Sequence, residues 1–169
     1  MRDVSQPKLV LTLAAELKRQ HVVAPPDWAS FVKTGHHRER PPVDEDWWYS
    51  RAASVLRTVY LRGPVGTAKL RVRYGGRKNR GMNTDRFFPA GGNHLRKILQ
   101  QLEAAKLVKQ EMKGVHKGRV ITPLGRKLLH AVANVVKAEA ASTAQGAVAG
   151  KAESAKAEPP AQDAAGGQE

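Results

Sequence analysis

Apolar residues along the chain recur at helical spacing, and the breaks between these runs are marked by Gly, Pro or basic polar clusters. In residues 5–20, Val10, Leu13, Ala14 and Leu17 stand at i, i+3, i+4 and i+7. Ser5 is placed to cap this helix, and Pro7 sits in the first turn, where its missing amide costs nothing. After Pro25-Pro26, Asp27 can cap a short helical turn that steps through Trp28, Phe31 and Val32 and ends at Gly35. The most regular stretch carries Trp48, Ala52, Val55, Leu56, Val59 and Tyr60 on one stripe, between the acidic start Asp44-Glu45-Asp46 and the terminator Gly63-Pro64. Beside that stripe, Arg51, Ser54, Thr58 and Arg62 fall within about 60 degrees of one another. This second stripe is small and polar with arginines at its ends, a surface that a phosphate backbone can approach closely.

Residues 64–92 lose the helical period. Lys69-Leu70-Arg71-Val72-Arg73-Tyr74 alternates basic with apolar, which predicts a short strand or extended arm before Gly75-Gly76 turns the chain. Asn93 then caps a helix whose Leu95, Ile98, Leu99 and Leu102 face inward and whose Arg96, Lys97, Gln100 and Gln101 face outward. Leu107–Met112 and Arg119–Ile121 are strands joined by the turn Lys113–Gly118, so a β-hairpin is expected. Thr122 caps a last helix with Pro123 at its first position, and Leu124, Leu128, Val132 and Val135 form its inner face. This order predicts a mainly α, winged-helix-like bundle with a small β-hairpin.

The length of 169 residues accommodates one compact domain plus an appendage. The composition changes near Ala138: residues 138–169 hold twelve Ala, no aromatic and no Leu or Ile, so this segment cannot bury a core and is expected to be a disordered tail. Glu158-Pro159-Pro160 would stop any helix there. The tail has two Lys against five acids, which leaves residues 1–137 with 27 basic and 10 acidic residues, a charge of +17. The expected partner is polyanionic. Without cysteine there is no disulfide framework, thiolate zinc site or Cys nucleophile. No signal-peptide core or membrane-spanning run stands in the sequence, and a soluble intracellular protein is expected.

Lys69 to Arg80 holds six basic residues and no acid. Such a run repels itself until counter-charge arrives, and its glycines leave room for a phosphate to sit close. Neutralising phosphates releases counterions, so binding would be favourable and salt-dependent. Tyr74 is expected to pack rather than to stack on a base. The hairpin tip adds Lys113, His116, Lys117 and Arg119. Asp44-Glu45-Asp46 is explained by a helix start, and His36-His37 lack the i, i+4 spacing that puts two metal ligands on one helix face. Neither a P-loop nor a nucleophile elbow is present, so neither catalysis nor a cofactor is expected.

The segments Trp48-Tyr49-Ser50-Arg51-Ala52-Ala53-Ser54, Tyr60-Leu61-Arg62-Gly63, Tyr74-Gly75-Gly76-Arg77, Leu99-Gln100-Gln101-Leu102-Glu103 and Thr122-Pro123-Leu124-Gly125 occur in this order. Together they resemble the eukaryotic and archaeal small-subunit ribosomal protein S nineteen family of the "e" type, from about Val4 to Val136. The resemblance implies a helical core with a small hairpin, a place in the head of the small ribosomal subunit on ribosomal RNA beside other small-subunit proteins, and a need for the protein in precursor RNA maturation. It implies a cytoplasmic ribosomal location, with a nucleolar stage in a eukaryote, and neither a membrane nor a small-molecule substrate. Arg51, Arg62 and Arg77 fall on the family's motifs, and Arg96 with Lys97 on its basic pair. The full set of expected RNA contacts is Arg51, Arg57, Arg62, Lys69, Arg71, Arg73, Arg77, Lys78, Arg80, Arg86, Arg96, Lys97, Lys117 and Arg119. Pro89-Ala90-Gly91-Gly92-Asn93 lacks the basic and serine residues that the family carries there. The order of elements also fits a winged-helix DNA-binding regulator, although the charge is concentrated outside its recognition helix. A nucleic-acid-processing enzyme would need a metal or general-base cluster.

Overall fold

The computed structural model describes residues 4–154, the side chains of Lys113 and of residues 141–154 excepted. Packing divides the chain into two units, Met1–Val136 and Lys137–Glu169. The first unit opens with α1 (Gln6–Arg19) and a single 3₁₀ turn (Asp27–Ser30), followed by α2 (Trp47–Arg62) and α3 (Thr67–Arg73). A hairpin of β1 (Gly76–Arg80) and β2 (Asn83–Phe88) comes next, then α4 (Gly92–Ala104), a second hairpin of β3 (Val108–Lys113) and β4 (His116–Ile121), and α5 (Pro123–Ser154). Helix, hairpin and closing helix follow one another as the sequence predicts, in a mainly α, winged-helix-like arrangement. Helix α5 continues to Ser154 through the Ala-rich stretch, in keeping with the high helix propensity of Ala. The Glu158-Pro159-Pro160 stop lies outside the described residues.

The core is built around α2. Trp48, Ala52, Ala53, Val55, Leu56 and Val59 are fully buried, against Leu9, Leu13 and Leu17 of α1 and Leu95, Ile98, Leu99 and Leu102 of α4 in one cluster. Trp48 meets Trp28 and Trp47 edge to face, at centroid distances of 5.6 and 5.3 Å. A buried indole needs an acceptor, and Trp48 Nε1 donates to Gln101 Oε1 at 3.0 Å, while Gln101 Nε2 donates to the Ala24 carbonyl at 2.6 Å. Gln101 therefore does not belong to the outer face of α4, where the sequence pattern placed it.

Two other expectations are corrected. Lys69–Arg73 is helix, not a strand or extended arm: α3 buries Leu70, and Tyr74, at its C-cap, turns back onto α2. On α5 the inner face is Leu129, Val132, Ala133 and Val136, whereas Leu124 and Val135 are exposed at 59% and 50%. Of the expected face, Val132 is buried and Leu128 packs against the core, so the buried stripe is rotated from the expected one rather than separate from it. The expected caps at Ser5 and Asn93 also differ. Ser5 makes no side-chain cap bond, and α4 begins one residue before Asn93, at Gly92.

Hairpin β1–β2 has no counterpart in the hydrophobic pattern, and it is the more exposed of the two. It turns through Gly81 at φ 67°, with Asn79 Oδ1 accepting the Gly81 amide at 2.9 Å. The second hairpin is longer than expected, since its strands run to Lys113 and from His116 and leave a two-residue turn. It is held to the α2–α3 loop by reciprocal bonds between Val65 and Arg119, at 3.1 and 3.0 Å. Thr122 caps α5 as predicted, its Oγ1 accepting the Gly125 amide at 3.2 Å.

The Val65–Arg119 pairing requires glycine at 118, because a Cβ there would lie 2.7 Å from the Val65 nitrogen. Gly118→Val is expected to cost about 1–3 kcal/mol through that overlap. Urea unfolding should show a lowered midpoint, with Lys117→Ala, at an exposed neighbour, close to wild type.

Candidate nucleic-acid interface

The stripe of Arg51, Ser54, Thr58 and Arg62 forms on α2 as the periodicity predicts, but α3 covers its middle. Tyr74 Oη lies 2.8 Å from Ser54 Oγ and 3.3 Å from Thr58 Oγ1, and Thr58 Oγ1 donates to the Ser54 carbonyl at 2.9 Å. Thr58 is therefore buried. Tyr74 packs, as expected, and it separates two clefts that open at the ends of the stripe.

At the far end, Arg62, Lys69 and Arg73 line a cleft of about 360 Å³ together with Thr58 and Pro64. At the near end, Arg38, Arg40 and Arg51 line a cleft of about 580 Å³ with Trp47, Ser50 and Tyr74. Arg51 stacks on the Tyr74 ring, with its guanidinium carbon 4.4 Å from the centroid. Burial, together with the charge of Arg38, lowers the Arg51 pKa from its ordinary value, although Tyr74 acts in the opposite direction. Arg38 and Arg40 were not among the expected contacts. The segment Thr34–Asp44 brings them over α2, and no local pattern in the sequence signals that placement.

Hairpin β1–β2 presents Arg77, Arg80 and Arg86 to solvent, with Asp85 its acidic residue. Lys78 is half-buried: its Nζ is 3.0 Å from His36 Nδ1 and 5.7 Å from the centre of the Phe88 ring. His36 stacks on Phe88 at 4.9 Å, which fixes the base of the hairpin against the loop before α2. Arg71 is tied down as well, its Nε donating to the Ala90 carbonyl at 3.1 Å. Fully exposed Met82 occupies the hairpin tip.

Arg57 stands apart. It is 8% exposed on α2, with Nε lacking a hydrogen-bond partner. On α4, Arg96 and Lys97 are exposed, as is Lys117 on β4, but Arg119 is turned inward to Glu103 at 3.4 Å. Among the described residues, the other ion pairs join Lys18 to Asp46, Arg19 to Glu16 and Lys109 to Glu111. Of the expected contact residues, Arg119 is the one held by a carboxylate within 4 Å. Among the described residues, the cations of the α2 ends, α3 and β1–β2 have no carboxylate within 4 Å.

Two histidines adjoin this array. His94 is 2% exposed near Trp47, and burial, reinforced by the charge of Arg51, lowers its pKa from 6.5 to about 4. His37 is lowered by burial and by Arg38 and Arg51. His37 Nδ1 and His94 Nε2 are buried without a hydrogen-bond partner.

The chain matches the family "Ribosomal protein S19e" over residues 1–139. It is similar to small ribosomal subunit protein eS19 of Aeropyrum pernix, with 48% identity over 143 residues that cover 83% of this chain and 92% of the relative. Small ribosomal subunit protein eS19G of Ascaris suum is 40% identical over 137 residues, covering 81% of this chain and 91% of that protein.

Because the unfolded His94 imidazole takes a proton near 6.5 and the folded one near 4, the unfolded state binds more protons between those values. Stability present above pH 6.5 therefore falls as the pH drops through this window, by roughly 1 kcal/mol from His94 between pH 7.5 and 5.5. Urea midpoints at the two pH values should differ by more in wild type than in His94→Gln, and the ring resonances of His94 should not titrate until about pH 4.

Proposed function

The chain belongs to the ribosomal protein S19e family, whose members are structural proteins of the small ribosomal subunit, and we propose that it holds ribosomal RNA in the head of that subunit. The family is not one of enzymes. The observation that carries the proposal is the uncompensated cationic surface formed by Arg62, Lys69 and Arg73 at one cleft and by Arg77, Arg80 and Arg86 on the first hairpin. Such a surface gains from phosphate contact through counterion release. It grips RNA by backbone and shape, because the deep, narrow major groove of an A-form helix excludes side chains.

The exposed Arg96 and Lys97 on α4 and Lys117 on the wing extend the contact, while Arg51 reaches RNA through its cleft. Arg57 and Arg119 shape the scaffold instead, one by burial and the other by its ion pair with Glu103. A protein that clamps an RNA junction fixes that junction during assembly, so maturation of the small-subunit precursor RNA depends on it. Neighbouring small-subunit proteins complete its surroundings. The protein works in the cytoplasm on the ribosome, after a nucleolar stage where the source cell is eukaryotic.

Arg62→Glu is expected to reduce co-sedimentation with small-subunit particles while leaving the thermal unfolding of the isolated protein unchanged, since the side chain is exposed. Binding to structured small-subunit RNA should weaken as salt rises. Arg77→Ala or Arg80→Ala should each lower the magnitude of the log–log salt slope by about 1. Unaltered co-sedimentation of Arg62→Glu, together with salt-independent RNA binding, would oppose the proposal.

A further inference from the structure

We propose that the cleft between α2 and the Thr34–Asp44 segment receives one unpaired RNA nucleotide, its phosphate held by Arg38, Arg40 and Arg51 and its base laid against Trp47. This rests on the RNA-binding reading above and adds to it the kind of RNA element recognised. Three guanidinium groups converge on one cleft, the lining carboxylate is Asp44, and no ion pair within 4 Å neutralises any of the three among the described residues. Like charges collected around a concavity are unfavourable until an anion enters.

Arg51 is already oriented for that anion. Tyr74 covers one face of its guanidinium at 4.4 Å, and the Ser54 hydroxyl anchors the Tyr74 ring at 2.8 Å. The stack holds the guanidinium in place, so little side-chain freedom is lost on binding. Burial, with the arginine charges adding to it, lowers the pKa of both His37 and His94, and each keeps a buried nitrogen without a hydrogen-bond partner.

The walls distinguish a nucleotide from a bare phosphate. Trp47 and the Pro41-Pro42 pair line the same cleft as the arginines, and its volume of about 580 Å³ lies within the roughly 300–1,000 Å³ of small-molecule clefts. An anion joined to a flat apolar ring satisfies both parts of the lining. A paired base cannot offer its face to Trp47, whereas a bulged or looped-out one can. The exposed arginines of β1–β2 lie outside this cleft and make no such distinction.

The test uses the full chain and two RNA hairpins of equal charge, one fully paired and one with a single-nucleotide bulge, with affinity measured at fixed salt. Wild type is expected to favour the bulged RNA about tenfold, the yield of one stacked base. Arg38→Gln/Arg40→Gln alters two exposed side chains on a loop and should bring the preference to within about twofold, whereas Arg77→Gln/Arg80→Gln should weaken both RNAs in parallel. Equal wild-type affinity for the two hairpins would overturn the cleft assignment while leaving RNA binding intact. A preference that survives Arg38→Gln/Arg40→Gln would overturn it too. Failure of both RNAs to bind would instead remove the underlying RNA-binding reading and the cleft with it.

Discussion

The burial of α2 is the constraint on which the other features depend. A helix with Trp48, Ala52, Ala53, Val55, Leu56, Arg57, Thr58 and Val59 all withdrawn from water must be enclosed by its neighbours on most of its circumference. Small residues at 52 and 53 let those neighbours close in, and Trp48 supplies the bulk. Trp48 also imposes a polar requirement, met by the Gln101 side chain, which in turn reaches the Ala24 carbonyl. The segment before the 3₁₀ turn, the start of α2 and α4 are joined by those two bonds, of which the one to the buried Trp48 indole is made where an unpaired group would be costly.

The cations are distributed in response. Arg51 and Arg62 project from the parts of α2 that remain near solvent, and the seam between them is closed by Tyr74. The remaining positive charge is carried outward on α3 and the first hairpin, where water screens the mutual repulsion while the polyanion is absent. Beside Arg51, burial and the arginine charge together disfavour the charged form of His37 and His94. One electrostatic surplus thus accounts for the exposed hairpin and adds to the burial that lowers the His94 pKa.

On the proposed RNA-binding reading, such a protein brings little specificity through base edges and much through shape. Its rigid part is the helical core, and its contact groups stand on a short helix and a hairpin whose bases are pinned by the Arg71–Ala90 and His36–Phe88 contacts. Pinned cations meet an RNA backbone of one curvature better than others. Membership of a structural ribosomal family is consistent with that design.

Much of the fold was legible in the sequence because long helices with one buried stripe leave a 3.6-residue signature. Val55, Leu56 and Val59, then Leu95, Ile98, Leu99 and Leu102, mark their helices without further information. Thr122-Pro123 marked the start of α5 by local chemistry alone, and +17 on residues 1–137 is the basis for expecting a polyanionic partner. Short or ambiguous patterns were settled only by packing. Six residues from Lys69 to Tyr74 alternate like a strand, yet with Leu70 buried and Tyr74 returning to Ser54 they form the end of a helix and its cap. On α5 the buried stripe is rotated from the expected one, and the neighbouring surface chooses Leu129 and Val136 over Leu124 and Val135. Hairpin β1–β2 buries almost nothing and so leaves no hydrophobic trace, and Arg38 and Arg40 join Arg51 only because the chain folds back over α2. Periodicity records which face of one element is apolar, whereas proximity between distant residues arises from how those faces meet.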